Sequence, residues 1–559
     1  MNTINICKSI GKGFAILSMM TGAVSCNFLD FDQSIGYESQ EDVYEVFSRA
    51  EQSLAQLYTY LESDFGSLDG AMRDCAIDDA HYVWSDSQIH VFTNGRWSPL
   101  NTIDEEWSNY YTGIRAVNQF LKALSEVDYS VYEWNDDYES WMAKIQYWPY
   151  EARFLRSLFL FELARRYGDI PLATDIYTIE NVNELRKSTF AEVIDYIARE
   201  CQQVAEQLPL SYETAEGKQT GRITKGAALA LRSRALLYLA SPLHNEDDPE
   251  RWADAARAAY DVMALNQYQL VDEESVNNLF SKELILERRT APSCSFEKLN
   301  FPISFEKGNT GTCPSQNLVD AFQTRNGYDV VLTQTGWECD DPEFDPAEPY
   351  TNRDPRFYKT VLYDGAQFKG RTLACQEGGA EGQPVVGASQ TGYYLKKYVM
   401  EDVNLSPKEN AMIHYWVLFR YAEIVLNYAE AMNNAYGADY KDTELPLTAT
   451  EALNQVRTRA GMPAIAAGLN RTDFQKVVER ERRVEFAFEN QRFWDLRRWK
   501  IAPATSLDGV RILQTESGKS YSRIVVENRV WDDRMFLYPI PQTELFKNSN
   551  LNPQNAGWY

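Results

Sequence analysis

The chain has 559 residues, more than one hydrophobic core usually serves, so two intimately packed lobes or a repeat-built superstructure are expected. Hydrophobic residues make up 44% and aromatics 13%, which excludes a disordered chain, and 34 tyrosines with 13 tryptophans supply more rings than a core needs. With 81 acidic against 55 basic side chains the formal charge is −26, a field that repels nucleic acid and anionic headgroups, so no nucleic-acid partner is expected.

At the N-terminus, Lys8 and Lys12 precede an apolar run from Gly13 to Val24 that is too short to span a bilayer comfortably, and small residues lead to a cysteine in "AVSC". The pattern is similar to a bacterial lipoprotein signal, in which residues 1–25 are removed and Cys26 is lipidated, anchoring the protein to a membrane. An ordinary secretory signal with an incidental cysteine is the alternative, because Val24 fits the preferred lipobox loosely. Either signal exports the protein, and export permits disulfides. Cys75, Cys201, Cys294, Cys313, Cys339 and Cys375 remain; none forms a C-x-x-C pair, and the four between 294 and 375 are the ones expected to pair, with connectivity open.

Residues 27 to 38 read as an extended tether, ending where Ser39 and Asp42 give a capping-box-like start to a helix. Val43, Val46, Phe47, Ala50, Leu54, Leu57, Tyr58 and Leu61 then repeat at helical spacing. Further helices are predicted near 106–124, 147–167, 190–207, 223–240, 249–265, 415–435, 449–460 and 472–489. Several carry small residues where helices can approach closely, and in the 415–435 segment Tyr421, Ile424, Val425, Tyr428, Ala429 and Met432 share one face. This reads as degenerate helical hairpins of the tetratricopeptide type, too irregular for a clean repeat. Between about 266 and 410 the helical period gives way to Gly, Pro and acidic residues, as in "DDPEFDPAEP", which predicts loops and short strands suited to carrying binding residues.

Catalytic patterns are missing. His81, His90, His244 and His414 are scattered without a two-ligand helix spacing. The "GASQTG" run from Gly387 is one residue too long for a nucleophile elbow, and no Walker A or G-x-G-x-x-G run occurs. The acidic Asp340–Asp345 stretch lacks EF-hand spacing and reads as a solvated loop. No cofactor or metal is expected.

Residues 481–499 read "ERRVEFAFENQRFWDLRRW". Val478, Glu481, Glu485 and Phe488 fall on one side of the predicted helix, so two carboxylates sit beside apolar residues and need cations there. Arg482, Arg483, Arg492, Arg497 and Arg498 are the candidates; they are expected to be satisfied internally by glutamates and Asp495, with Phe493, Trp494 and Trp499 packed between them. The run resembles the C-terminal signature of the SusD/RagB family of outer-membrane lipoproteins. Other landmarks match in order: "NFLD" after Cys26, "EARFLRSLFLFELARRYGDIPL" from Glu151, "PSQNLVDAF" from Pro314, "NRDPRF" from Asn352, "WVLFRYAEIVLNYAEAMN" from Trp416 and "FLYPIPQTELFKNSNLNPQNAGWY" from Phe536. Val484, Phe486 and Asn490-Gln491, where a Gly is common, depart from the signature without disturbing the match.

The resemblance implies a mainly α, SusD-like fold: a tetratricopeptide-like helical-hairpin scaffold with long loop and short-strand insertions. It divides the mature chain into an N-terminal region with helical repeats, 26–265, and a C-terminal region, 266–559, holding the variable ligand-binding insertion. It further implies exposure on the outer-membrane surface, association with a TonB-dependent SusC-like transporter, and binding in place of catalysis. Glycans stack on aromatic rings and hydrogen-bond to polar side chains at the rim. Loop-like residues 73–111 have that composition in Asp78, Asp79, Tyr82, Trp84, Asn94, Arg96 and Trp97, and Trp337 is an opposing ring from the variable middle. Each ring is alternatively a core or transporter-contact residue. The expected function is capture of a polysaccharide or oligosaccharide for the transporter; the alternatives are a RagB-like oligopeptide binder and a surface glycoside hydrolase, for which no acid/base pair is identifiable.

Overall fold

The computed structural model describes residues 40–559 apart from 67, 179, 214–220, 277, 279, 280 and 517. The signal segment, Cys26, the tether and the Ser39 cap lie outside the described residues. Helices Trp107–Glu126, Trp148–Tyr167, Phe190–Gln207, Lys225–Ala240 and Pro249–Met263 pack each against the next, and Tyr421–Tyr436 joins the far side of the last one before packing on Ala449–Arg459 and Arg471–Glu485. The predicted helical scaffold is therefore continuous in space although about 150 residues interrupt it in sequence. Its starts are set locally: Thr189 with Glu192, and Thr448 with Glu451, form reciprocal capping boxes, and Asp248 caps a helix with Pro249 in its first turn.

One segment departs from its predicted period. Residues 415–420 form a strand, paired antiparallel with Leu284–Arg289, and the helix begins at Tyr421. The aromatic and β-branched run "YWVLFR" prefers the pleated surface, which the scaffold's apolar periodicity extending through it concealed. The insertion otherwise holds short helices and two-stranded pieces, among them Thr312–Pro314, which pairs with Ala80–Tyr82 and fastens the N-terminal loops to the middle of the chain. The insertion has its own small core around Phe301, Phe305, Phe368 and Tyr394. The six cysteines expected in the mature body are all free thiols, so the pairing anticipated between 294 and 375 is not made.

The arginine-rich signature is buried, as its internal role required, but its partners come from farther away than predicted. Arg482 and Arg498 donate to Asp495 at 2.8 Å each, and Arg498 also meets Glu430 at 2.5 Å. The two inward glutamates are held by arginines outside the signature. Glu481 pairs with Arg356 at 2.5 Å and Arg457 at 2.9 Å, and Glu485 with Arg356 at 2.9 Å, Arg420 at 2.6 Å and Arg459. Trp494 lies between the guanidinium groups of Arg165 and Arg166, at 4.2 and 5.0 Å from its ring centre.

Candidate functional site

The 73–111 loops are where the scaffold, the insertion and the signature meet, and that meeting buries most of the expected ligand-binding residues. Asp78 is 5% exposed and Asp79 fully buried. Arg483 donates to Asp78 at 3.1 Å and to Asp79 at 2.8 Å, while Arg492 adds a contact to Asp79 at 3.3 Å. Burial alone raises the Asp78 carboxyl, but Arg483 and Arg492 outweigh it and hold it below the usual range. These two acids are held by the arginines of the signature. Tyr82 is buried on the strand paired with Thr312–Pro314. Trp97 is buried edge-on against Phe92, Tyr538 and Trp558 at 4.8 to 5.0 Å between ring centres, which fixes the C-terminal tail. Trp337 is buried against Tyr350 and beside the Arg353 guanidinium. Proximity of these residues in sequence reflected a packing junction.

Trp84, Asn94 and Arg96 reach solvent. Asn94 and Arg96 occupy one exposed turn, in which the Asn94 side chain accepts the Arg96 backbone N–H at 3.0 Å. Trp84 is half-buried and its indole N–H donates to the Asn309 carbonyl at 2.8 Å, while the His90 ring nitrogen donates to the Trp84 carbonyl at 3.0 Å. Burial lowers the His90 pKa, while the bond to the Trp84 carbonyl acts in the opposite sense. Gly387 closes the third side. Its φ is +81°, and a Cβ there would lie 3.2 Å from Ile303 Cδ1 and 3.3 Å from Trp84 Cη2, so the loop can approach the ring only without a side chain. Val385 and Val386 are exposed just before it, and Asp86 just after Trp84. The result is a ring of fixed orientation at a three-loop junction, with exposed apolar and carboxylate side chains within two residues of its Trp84 and Gly387 walls. Ile303, Asn309 and Gly387 were not singled out by sequence reading as ring partners; the glycine-rich composition around 378–392 was the signal.

Below the neighbouring helix lies a second feature, a cleft of about 820 Å³ between helix Trp107–Glu126, the 171–185 loop and the C-terminal 544–551 segment. Tyr111, Tyr177, Ile176, Val182, Leu185 and Leu551 line it, with Arg115, Asn183 and Lys547 among the polar groups. Its walls come from three segments separated by about 60 and 370 residues, so no local pattern in the sequence marks it. In the acidic Asp340–Asp345 loop the Asp341 carboxylate accepts the Thr324 hydroxyl at 2.6 Å and the Glu343 N–H at 3.0 Å. Among the described residues no group of three or more potential metal ligands occurs.

Residues 289–558 match the SusD family, and residues 27–239 match a family described as starch-binding associating with outer membrane. The chain belongs to the SusD-like family. Its curated relatives include SusD-like protein P2 of Formosa agariphila, 22% identical over 84% of this chain and 83% of the relative. Among solved structures, a SusD-like protein from Bacteroides fragilis superposes with a TM-score of 0.77 at 27% identity, covering 93% of this chain and 98% of the other. Surface glycan-binding protein A from Bacteroides uniformis superposes with a TM-score of 0.63 at 21% identity, covering 91% and 100%. The helical SusD-like fold expected from the sequence is thus the fold observed, and the match on both sides of residues 240–288 agrees with landmarks running the length of the chain.

Proposed function

We propose that this SusD-like chain is a cell-surface glycan-binding lipoprotein, lipidated at Cys26, that captures a polysaccharide or oligosaccharide and delivers it to a TonB-dependent SusC-like transporter. The observation that carries the reading is the partly exposed Trp84 ring, fixed by its bond to Asn309 and by the close approach of the Gly387 loop. A sugar binds such a platform through its apolar face without the entropy loss of ordering a mobile ring. The family description of starch binding at the outer membrane supports the same reading, that of a binding protein. The test is affinity electrophoresis of the form beginning after Cys26 against plant, host and microbial polysaccharides, beside Trp84→Ala. Retardation by one glycan class that disappears in the variant is expected; retardation that survives it moves the site elsewhere.

The 820 Å³ cleft favours a second reading, a peptide-capturing RagB-like protein. Its aliphatic residues suit apolar side chains better than sugar hydroxyls. Retardation by no glycan, together with oligopeptide binding lost on Tyr177→Ala, would favour it.

A further inference from the structure

The connection between helices Trp107–Glu126 and Trp148–Tyr167 carries two large apolar side chains that the fold leaves open: Trp134 is 87% exposed and Val131 65%. The backbone beneath them is fixed. Asp128 caps the turn by accepting the Ser130 N–H, and the Asn135 and Tyr138 amides close successive turns at 2.9 and 3.0 Å. Residues 128–139 hold five carboxylates, Asp128, Glu133, Asp136, Asp137 and Glu139, and no basic residue. None of the five enters an ion pair among the described residues. The patch flanks the first described helices: the Tyr129 hydroxyl donates to the Tyr44 carbonyl at 2.6 Å, and Trp141 stacks on Phe47 at 5.1 Å and 9°.

We propose that Val131 and Trp134 form a docking surface for a protein that presents an apolar recess rimmed by lysine or arginine, and that this protein is the membrane-embedded transporter. The identity of the partner rests on the uptake reading above. An exposed tryptophan at the centre of a small apolar patch is the anchor type that dominates protein interfaces, and unpaired carboxylates around it select a cationic rim and speed its approach. The same carboxylates disfavour an anionic membrane surface. Among the described residues no hydrogen bond or ring contact holds the Trp134 indole, unlike Trp84, which leaves both of its faces open to a partner's recess. Placement agrees: the patch lies where the chain leading back to Cys26 enters the body, and the 13 residues between Cys26 and Gln40 reach at most about 45 Å when extended, which keeps this end near the membrane.

The test uses the full lipidated chain, tagged and produced in its own host, with a photo-crosslinking amino acid at position 134 or, as a second exposed position, 436. The expected result is a covalent adduct from position 134 to a TonB-dependent transporter, together with about a tenfold or greater loss of co-purified transporter for Trp134→Ala and a salt-sensitive loss for D136K/D137K. Glycan retardation of both variants should match the parent, which shows that they are folded. A transporter that co-purifies undiminished with both variants, or adducts from 436 and none from 134, overturns the docking surface while sparing the uptake reading. Adducts to lipid in place of protein overturn it in favour of membrane contact. If no transporter accompanies the unaltered chain, the uptake reading fails and the proposal falls with it.

Discussion

Arg483 and Asp79 meet across 404 positions of chain, the guanidinium Nε–H donating to a fully buried carboxylate at 2.8 Å. That contact joins the start of the signature, on helix Arg471–Glu485, to the 73–111 loops. Removing the cation leaves Asp78 and Asp79 buried with Arg492 alone, and breaking a buried pair from one side is costlier than replacing it whole. Arg483→Met should therefore lower unfolding stability by about 3 to 5 kcal/mol, and the triple change that also converts both acids to leucine should recover a large part of it. Urea unfolding of the variants decides; a single change costing under about 1 kcal/mol would mean the acids are satisfied without Arg483.

This junction also explains what the sequence could and could not reveal. Helix periods, capping pairs and the internal satisfaction of the signature are local or near-local in origin, and Thr448 with Glu451 or Arg482 with Asp495 stand close enough in sequence to be paired by inspection. The partners of Glu485 are not: Arg356, Arg420 and Arg459 come from three other segments, and no spacing rule connects them. The burial of the expected ligand residues was hidden for the same reason. Asp78 and Trp97 have the residue types of a sugar site, but composition cannot distinguish a carboxylate that meets solvent from one that meets Arg483, nor a ring that meets a ligand from one that meets Tyr538.

Stability around neutral pH should depend on two buried groups that act in opposite senses. Burial, with the Asp79 charge next, raises the Asp74 carboxyl to about 7, against 3.8 for the free group. The unfolded chain therefore loses this proton first, and stability contributed by neutral Asp74 is lost as pH rises from about 4 to 7. His244, stacked on Phe190 at 3.5 Å, is lowered by burial to about 3 from 6.5, so stability from its neutral ring is lost as pH falls through that window. Each shift is worth on the order of 4 kcal/mol, at about 1.4 kcal/mol per unit, and across the shared range they offset one another. Asp74→Asn keeps an acceptor for the Phe488 N–H and removes only the first. The variant should gain stability over the parent steadily between pH 4.5 and 7.5; parallel pH profiles in urea unfolding would refute the assignment.

The two tryptophans of the 73–111 loops should behave differently on truncation. Trp97 is 2% exposed within a cluster of rings, so Trp97→Ala should cost about 3 to 5 kcal/mol and shift thermal unfolding, weakening binding only through the fold. Trp84 is half-buried at a surface, so Trp84→Ala should cost about 1 kcal/mol or less while abolishing retardation by the cognate glycan. Far-UV circular dichroism with thermal melts separates the two, and equal destabilisation would place Trp84 in the core instead of the platform.

Neighbouring arginines on helix Arg492–Arg498 offer the sharpest contrast in burial energetics. Arg498 is 1% exposed and carries Glu430 and Asp495. Arg497 is 3% exposed, donates to the Phe493 carbonyl at 3.0 Å and lies 3.4 Å from the Phe493 ring centre, with no carboxylate in ion-pairing distance among the described residues. Desolvation therefore pulls its pKa below the ordinary guanidinium value. Truncating Arg498 to Met strands two buried acids and should cost about 3 to 5 kcal/mol. Replacing Arg497 by Met removes an unpaired desolvated charge at similar volume and forfeits about 2 kcal/mol of ring contact, two effects of comparable size and opposite sign. The Arg497→Met protein should unfold within about 1 kcal/mol of the parent. A loss as large as that of Arg498→Met would show that a counter-charge reaches Arg497 in solution.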